Sequence, residues 1–235
     1  EEESHPSLVP TKNNIRQALQ WLVQDCRPGD SLVFHFSGHG SQRRDYYNRD
    51  EIDGRDEMLW PVDHQTAGMI LDDEINATIV RPLPRGVKLH AVIDACHSAT
   101  LLDLPYLCRL KRSGFYTWED HGRRSATYKG TSGGLAVCIS ACGDQQISID
   151  TTALSRNNTS TGALTYSFIQ AAQSEPGITY GRLLNSMNET VRNVKSRSDL
   201  TNGPISSLLR NVIHRELPQL SSSEKFEIYS RQFAL

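Results

Sequence analysis

The sequence predicts an α/β fold: a mostly parallel central sheet with helices on both faces. Three observations carry that expectation. Apolar runs at 32–36, 87–94 and 134–140 are continuous enough to be strands buried on both sides. Each is separated from the next by more chain than a parallel crossover needs. Segments with helical apolar spacing alternate with these runs, the pattern of layered α/β domains.

The elements follow in order. Thr11 is placed to cap a helix over 12–26, in which Ile15, Leu19, Leu22, Val23 and Cys26 fall on one side and Pro28-Gly29 ends the run. A strand follows at Ser31–Phe36. Residues 41–64 are polar and acidic up to Met58-Leu59-Trp60-Pro61. Asp72-Asp73-Glu74 opens a short helix whose first turn favours negative charge. Strand 87–94 comes next. Residues 109–134 have no periodicity and carry Arg109, Lys111, Arg112, Arg123, Arg124 and Lys129, so they are expected to form an exposed loop. Gly134–Ser140 is the third buried strand, and 161–173 and 179–195 are amphipathic helices. Lys225–Tyr229 alternates like a late edge strand. No strand precedes the first helix, so the chain is expected to lack the first strand of its sheet and to leave one edge bare.

With 235 residues and 26.3 kDa, a single domain is the simplest organisation. It is expected to read as 1–110 carrying the reactive groups, a basic linker at 111–133, and a second part at 134–235. A net charge of −2 gives no general attraction to nucleic acid or to membranes. No run approaches the ~20 apolar residues of a membrane helix. Five cysteines, at 26, 96, 108, 138 and 142, form an odd set without paired spacing. They read as reduced thiols, which suits the cytosol or nucleus.

The chemistry gathers at two strand ends. In an open α/β sheet, reactive groups collect beyond the carboxyl ends of the strands. His39 follows the strand at 32–36 and Cys96 follows the strand at 87–94, so that rule brings an imidazole and a thiol to one rim. A thiolate is a strong nucleophile and a neighbouring imidazole can take its proton. This is what a cysteine peptidase requires. His35 and His39 lack a third ligand at sensible spacing, which argues against zinc. No Gly-x-Ser-x-Gly elbow exists for a serine hydrolase.

Ser37-Gly38-His39-Gly40 together with Asp94-Ala95-Cys96-His97-Ser98 resembles the metacaspases, caspase-related cysteine peptidases of family C14, most of all the type I plant members. The likeness continues through Asp53–Glu57, Leu71–Ile75, Leu102–Pro105 and Ala141–Gln145 to Phe226–Tyr229. It implies a caspase-like three-layer sandwich and a Cys96–His39 dyad. Gly40 and Cys96 would supply the backbone donors of an oxyanion hole. It also implies cleavage after Arg or Lys, with Asp94 on the floor of the specificity pocket and Ser37 and Asp144 lining it. A buried carboxylate there favours a bidentate Arg or a Lys. The family's further pocket Asp, from a Gly-Cys-x-Asn-Asp-like motif after its first strand, has no counterpart here, and Ala99 stands where the family usually has Gly.

Asp50, Glu51, Asp53, Asp56 and Glu57 crowd one loop, with Asp72, Asp73 and Asp103 elsewhere. Such clusters repel unless a hard cation sits among them, and Ca²⁺ takes six to eight oxygens. The spacing is not that of an EF-hand. The resemblance implies a Ca²⁺ site from Asp56, Asp72, Asp73 and Asp103, and Ca²⁺-dependent activation. It further implies self-cleavage in the basic 109–134 segment, a monomeric state, protein or peptide substrates, and a role in programmed cell death and stress. The alternative expectation is an N-terminally truncated, catalytically weak isoform that acts as a regulatory binding partner.

Overall fold

The computed structural model describes residues 5–44, 54–95, 100–111, 113–122, 127–140, 150–151, 161–198 and 218–235. Thr11 caps helix α1 (Lys12–Val23) as expected, its hydroxyl accepting from the Asn14 N–H at 3.2 Å. The helix ends at Val23 rather than Cys26, because Asp25 takes a left-handed backbone with φ 57°. Strand β1 (Ser31–Ser37) follows, then a small antiparallel sheet of β2 (Gly40–Arg44), β3 (Arg55–Leu59) and β4 (Ile70–Leu71), with helix α2 (His64–Ala67) between β3 and β4. Helix α3 (Asp72–Ile75) runs into a π-helical turn over Asn76–Val80.

The main sheet is completed by β5 (Lys88–Asp94), β6 (Tyr106–Leu110), β7 (Tyr116–Asp120), β8 (Leu135–Ser140) and β11 (Gln219–Ser222). Between them lie the short pair β9 (Asp150–Thr151) and β10 (Thr161–Gly162), and helices α4 (Ala163–Ser174) and α5 (Tyr180–Ser198). The order across the sheet is β1-β5-β8-β11-β6-β7. β1 and β8 both run parallel to β5. β6 is antiparallel to β11, which is itself antiparallel to β8, so β6 shares their direction and four of the six strands run the same way. The expected mostly parallel sheet is therefore present.

Alternation along β5 separates two cores. Leu89, Ala91 and Ile93 pack on one face with Leu19 of α1 and Ile75 of α3. Val92 points the other way, to Val137, Ile139 and the α4–α5 residues Leu164 and Leu183. Helices thus cover both faces, and each fully buried Leu or Ile contributes roughly 2–3 kcal/mol relative to exposure. β1 is an outer strand: among the described residues its other edge has no strand partner, and its exposed and half-buried residues alternate. No helix of the described residues is long and apolar enough to cross a membrane.

Two expectations are corrected. The basic segment 109–134 is not one exposed loop. Its first part forms the β6–β7 hairpin, where Leu107 and Cys108 on the inner strand are buried, and Lys129 is 4% exposed. Charged residues hid the pattern, Arg109 on β6 and Glu119 and Asp120 on β7, because β7 is an edge with one wet face. The Lys225–Tyr229 alternation is not a strand either. Phe226 and Ile228 join the second core while the backbone turns, with the Ser230 and Arg231 N–H groups both donating to the Glu227 carbonyl. The late strand is β11, whose Gln-Leu-Ser-Ser sequence carries little apolar signal.

His90 on β5 faces the second core. Its Nε2 lies 2.6 Å from the Tyr180 hydroxyl, Phe233 meets its ring edge-on at 5.2 Å, and its buried Nδ1 has no hydrogen-bond partner. Burial, helped by the Lys88 charge, lowers its pKa to about 4. In the unfolded chain the imidazole protonates near its ordinary value of about 6.5. Between those values the unfolded state holds the extra proton, so stability is complete above pH 6.5 and is lost as pH falls towards 4. Denaturant unfolding is expected to show about 2 kcal/mol less stability at pH 5 than at pH 7 from this residue. An unchanged pH slope in His90→Gln would remove it as the cause.

Candidate active site

The register of β1 on β5 sets the site. Ser37 lies opposite Asp94 at the carboxyl ends of both strands, and the Gly38 N–H donates to the Asp94 carbonyl at 3.2 Å. His39 leaves β1 at that rim and is exposed. Its carbonyl accepts from the Trp60 N–H at 3.1 Å, and the Trp60 ring stands 6.4 Å from the imidazole, edge to face. Trp60 is fixed in turn by its Nε1–H, which donates to Ser41 Oγ at 2.6 Å, and by His64 at 4.7 Å. A Cβ on Gly38 would stand 2.9 Å from the tip of the Phe36 ring, so a larger residue there requires that ring to shift. Gly40 opens β2 opposite Leu59 and is half-buried.

Cys96 lies outside the described residues, as do His97, Cys142 and Asp144. The described thiols are unsuited to nucleophilic work. Burial pushes Cys108 and Cys138 up to about 12, and Cys26 is also raised, by burial and then by Asp30 and Asp25. A nucleophilic thiol needs the opposite shift.

Asp94, the last residue of β5, is 5% exposed. Its Oδ2 accepts from the Thr165 N–H at 2.9 Å and from the Thr165 hydroxyl at 2.8 Å, in the first turn of α4. Two donors and the positive end of a helix stabilise the carboxylate's charge. Ser37 is exposed at the neighbouring strand end, two residues from His35 and on the same face of β1.

The four expected cation ligands are fastened to one another through the backbone. Asp72 begins α3 and accepts the Glu57 N–H at Oδ2 and the Asp73 N–H at Oδ1, both at 2.8 Å, which ties α3 to β3. Asp73 is half-buried beside it. Asp56 on β3 pairs with Arg43 Nε at 3.0 Å. Asn76, one turn after Asp72, donates to the carbonyls of Leu102, Asp103 and Lys129, and so holds the turn at 100–104 and the Lys129 stretch against the same helix. Asp103 has a left-handed backbone, φ 49°, and its Oδ1 meets Lys129 Nζ at 2.5 Å with both side chains nearly fully buried. The donor set suits a hard cation in kind, since all four groups offer carboxylate oxygens. The spacing does not: among the described residues no three His, Cys, Asp or Glu side chains are close enough to hold one ion. Asp50, Glu51 and Asp53 lie outside the described residues.

Four contributors were not expected from the sequence. Trp60 borders His39, Thr165 reaches Asp94, His35 reaches Thr165, and Lys129 answers Asp103. Period-two alternation from Ser37 back to His35 was the one usable signal. The others depend on long-range packing.

The family profile described as metacaspase, peptidase C14 domain, matches residues 1–105. Metacaspase-1 of Arabidopsis thaliana is 55% identical over the whole chain, and metacaspase-3 of the same plant 53% identical. Metacaspase-1 of the yeast Yarrowia lipolytica is 39% identical over 78% of the chain. The chain spans 66% and 63% of the two plant proteins, and 47% of the yeast one. A crystal structure of a Geobacter sulfurreducens protein, 20% identical, superposes with a TM-score of 0.57 over 94% of this chain and 78% of its own, which bears on the fold alone. With its caspase-like α/β sheet, and with relatives that match it from end to end, the chain belongs to the metacaspases, the cysteine peptidases of family C14.

Proposed function

We propose that the chain is a Ca²⁺-dependent cysteine endopeptidase that cuts protein chains after Arg or Lys. The observation that carries the reading is the pairing of Ser37 with Asp94, which sets His39 and a buried carboxylate at one rim of the sheet. The Cys96 thiolate attacks the peptide carbonyl carbon and forms a C–S bond. The carbonyl electrons move onto oxygen, where the Gly40 and Cys96 N–H groups receive them. The tetrahedral species collapses, the C–N bond breaks, and the His39 imidazolium gives its proton to the leaving amine. Water, deprotonated by His39, then releases the acyl group and restores the thiol. Asp94 selects a basic side chain before the cut, because only a cation repays the cost of approaching a buried carboxylate.

Asp56, Asp72, Asp73 and Asp103 are the residues that would hold Ca²⁺, and since no three of them stand close enough to share one ion, they would have to draw together around it. When bound, it would neutralise their mutual repulsion and stiffen the β2–β3 region that carries Trp60 beside His39. The reading extends to a monomer acting in the cytosol or nucleus, with self-cleavage in the basic segment and a role in programmed cell death and stress. A fluorogenic peptide ending in Arg is expected to be hydrolysed with Ca²⁺ and to lose most of its turnover on addition of EGTA. Turnover unchanged by EGTA overturns the calcium part alone. A second reading is a catalytically weak chain that pairs with another protein, for which the β1 edge, without a strand partner among the described residues, offers a place. Absence of turnover in both conditions, with intact folding, would select it.

A further inference from the structure

The proposed pocket leaves open what fixes the direction of the Asp94 carboxylate. A carboxylate at a strand end rotates about its last torsion, and a rotating acid recognises a forked guanidinium poorly. Here three elements converge on it. Thr165, the third residue of α4, gives Asp94 Oδ2 both its N–H and its hydroxyl hydrogen, at 2.9 and 2.8 Å. His35 Nε2, from β1, lies 3.2 Å from the same Thr165 oxygen. A hydroxyl has one hydrogen, and this one points at Asp94. Thr165 Oγ1 must therefore accept from His35, which places a proton on Nε2. The result is a directed chain, His35 Nε2–H to Thr165 Oγ1–H to Asp94 Oδ2, crossing from one edge strand through the helix terminus to the neighbouring strand.

We propose that Thr165 is the positioning residue for substrate specificity, aiming the Asp94 carboxylate at the incoming basic side chain, and that His35 orients the Thr165 hydroxyl. The inference rests on the reading of Asp94 as the acid of the specificity pocket. It explains why a polar residue occupies the first turn of α4 between the buried Leu164 and Ser167, and why a histidine stands on a strand face beside the site. The backbone donor from Thr165 survives any side-chain change, so the side chain tunes an anchored carboxylate and does not create it. The Thr165 hydroxyl donates to a charged acceptor, a bond that decides affinity by about tenfold or more.

The test separates ground-state binding from chemistry. Agmatine, the side-chain analogue of arginine, is titrated into the chain calorimetrically, and Arg- and Lys-ended peptides are hydrolysed in parallel. Thr165→Val is expected to weaken agmatine binding, and to raise KM for the Arg peptide, by about tenfold, with kcat within about twofold. Thr165→Ser, which keeps the hydroxyl, is expected to return both to wild-type values. His35→Leu should move binding the same way by a smaller factor, whereas His35→Gln, whose amide still donates, should not. Asp94→Asn is the reference arm. If it leaves agmatine binding and the preference for basic residues intact, or if the wild-type chain does not bind agmatine, the pocket reading fails and this inference with it. If Asp94→Asn weakens binding while Thr165→Val and His35→Leu do not, the pocket stands and the positioning role is wrong. A loss in kcat alone, or no rescue by Ser, likewise overturns it.

Discussion

Cys96→Ala is expected to abolish peptide hydrolysis, and His39→Ala to lower kcat/KM by roughly a thousandfold or more. The double variant should be no worse than either single one, since a nucleophile and its base act as one unit. Cys108 and Cys138 are buried with pKa values near 12, and Cys26 is shifted in the same unfavourable direction. None of these three described thiols is a competing nucleophile. His39 is exposed at the rim, with Trp60 confining one side of the imidazole, so truncation should remove chemistry without removing fold. On the self-cleavage reading, fragmentation should vanish together with activity. Arg109 sits in β6 and pairs with Glu119, and Lys129 is buried against Asp103. A strand residue or a buried one must unfold locally before a protease can take it. Lys111 is exposed at the end of β6, at the turn to β7. Mass spectrometry of the Ca²⁺-treated chain should accordingly show fragments ending at Lys111 before any ending at Arg109 or Lys129. Residual hydrolysis in Cys96→Ala, or unchanged fragments, would assign the nucleophile elsewhere.

The parts of this fold that the sequence made legible are those governed by local or periodic rules. β5 and β8 are buried on both faces, β8 as a nearly continuous apolar run and β5 as one interrupted by His90. α1 announced itself through its Thr11 cap and its spacing, and missed only its end, where an Asp rather than a Gly takes the left-handed position. β7 and β11 did not read as strands. One is a half-wet edge, and the other is a four-residue piece with a single large apolar side chain, Leu220. Ser37 and Asp94 could be matched in advance because parallel neighbours end together. The Thr165 contact could not, since 71 residues separate it from Asp94 and only the packing of α4 on β5 closes that distance. Lys129 illustrates the same limit in charge. In a run of basic residues nothing distinguishes the one that turns inward.

That inward turn makes Lys129→Met the structural substitution with the largest expected cost. The ammonium reaches Asp103 at 2.5 Å where both side chains are almost wholly buried, and Asn76 fastens the backbone carbonyls of both residues to α3. Taking one partner from a buried ion pair strands the other charge, at a cost of about 3–5 kcal/mol. That is a large part of the total stability of an ordinary domain, and amounts to a fall of roughly 10 °C in Tm at this chain length. Met matches Lys in reach, so lost packing should be the smaller share. Lys129→Met with Asp103→Asn, which removes both charges, should recover most of the loss, and that non-additivity isolates the pair. On the calcium reading the same experiment has a second arm. Asp103 cannot serve an ion while it serves Lys129, so an ion must compete with a tethered ammonium in the wild-type chain and meets no such rival in Lys129→Met. Ca²⁺ should therefore raise the Tm of Lys129→Met by more than it raises that of the wild type, because a ligand stabilises by RT ln(1 + [L]/Kd) and so stabilises more where it binds more tightly. Equal shifts would separate Asp103 from cation binding. A Lys129→Met chain that melts with the wild type in the absence of Ca²⁺ would show that the buried pair carries no net stability.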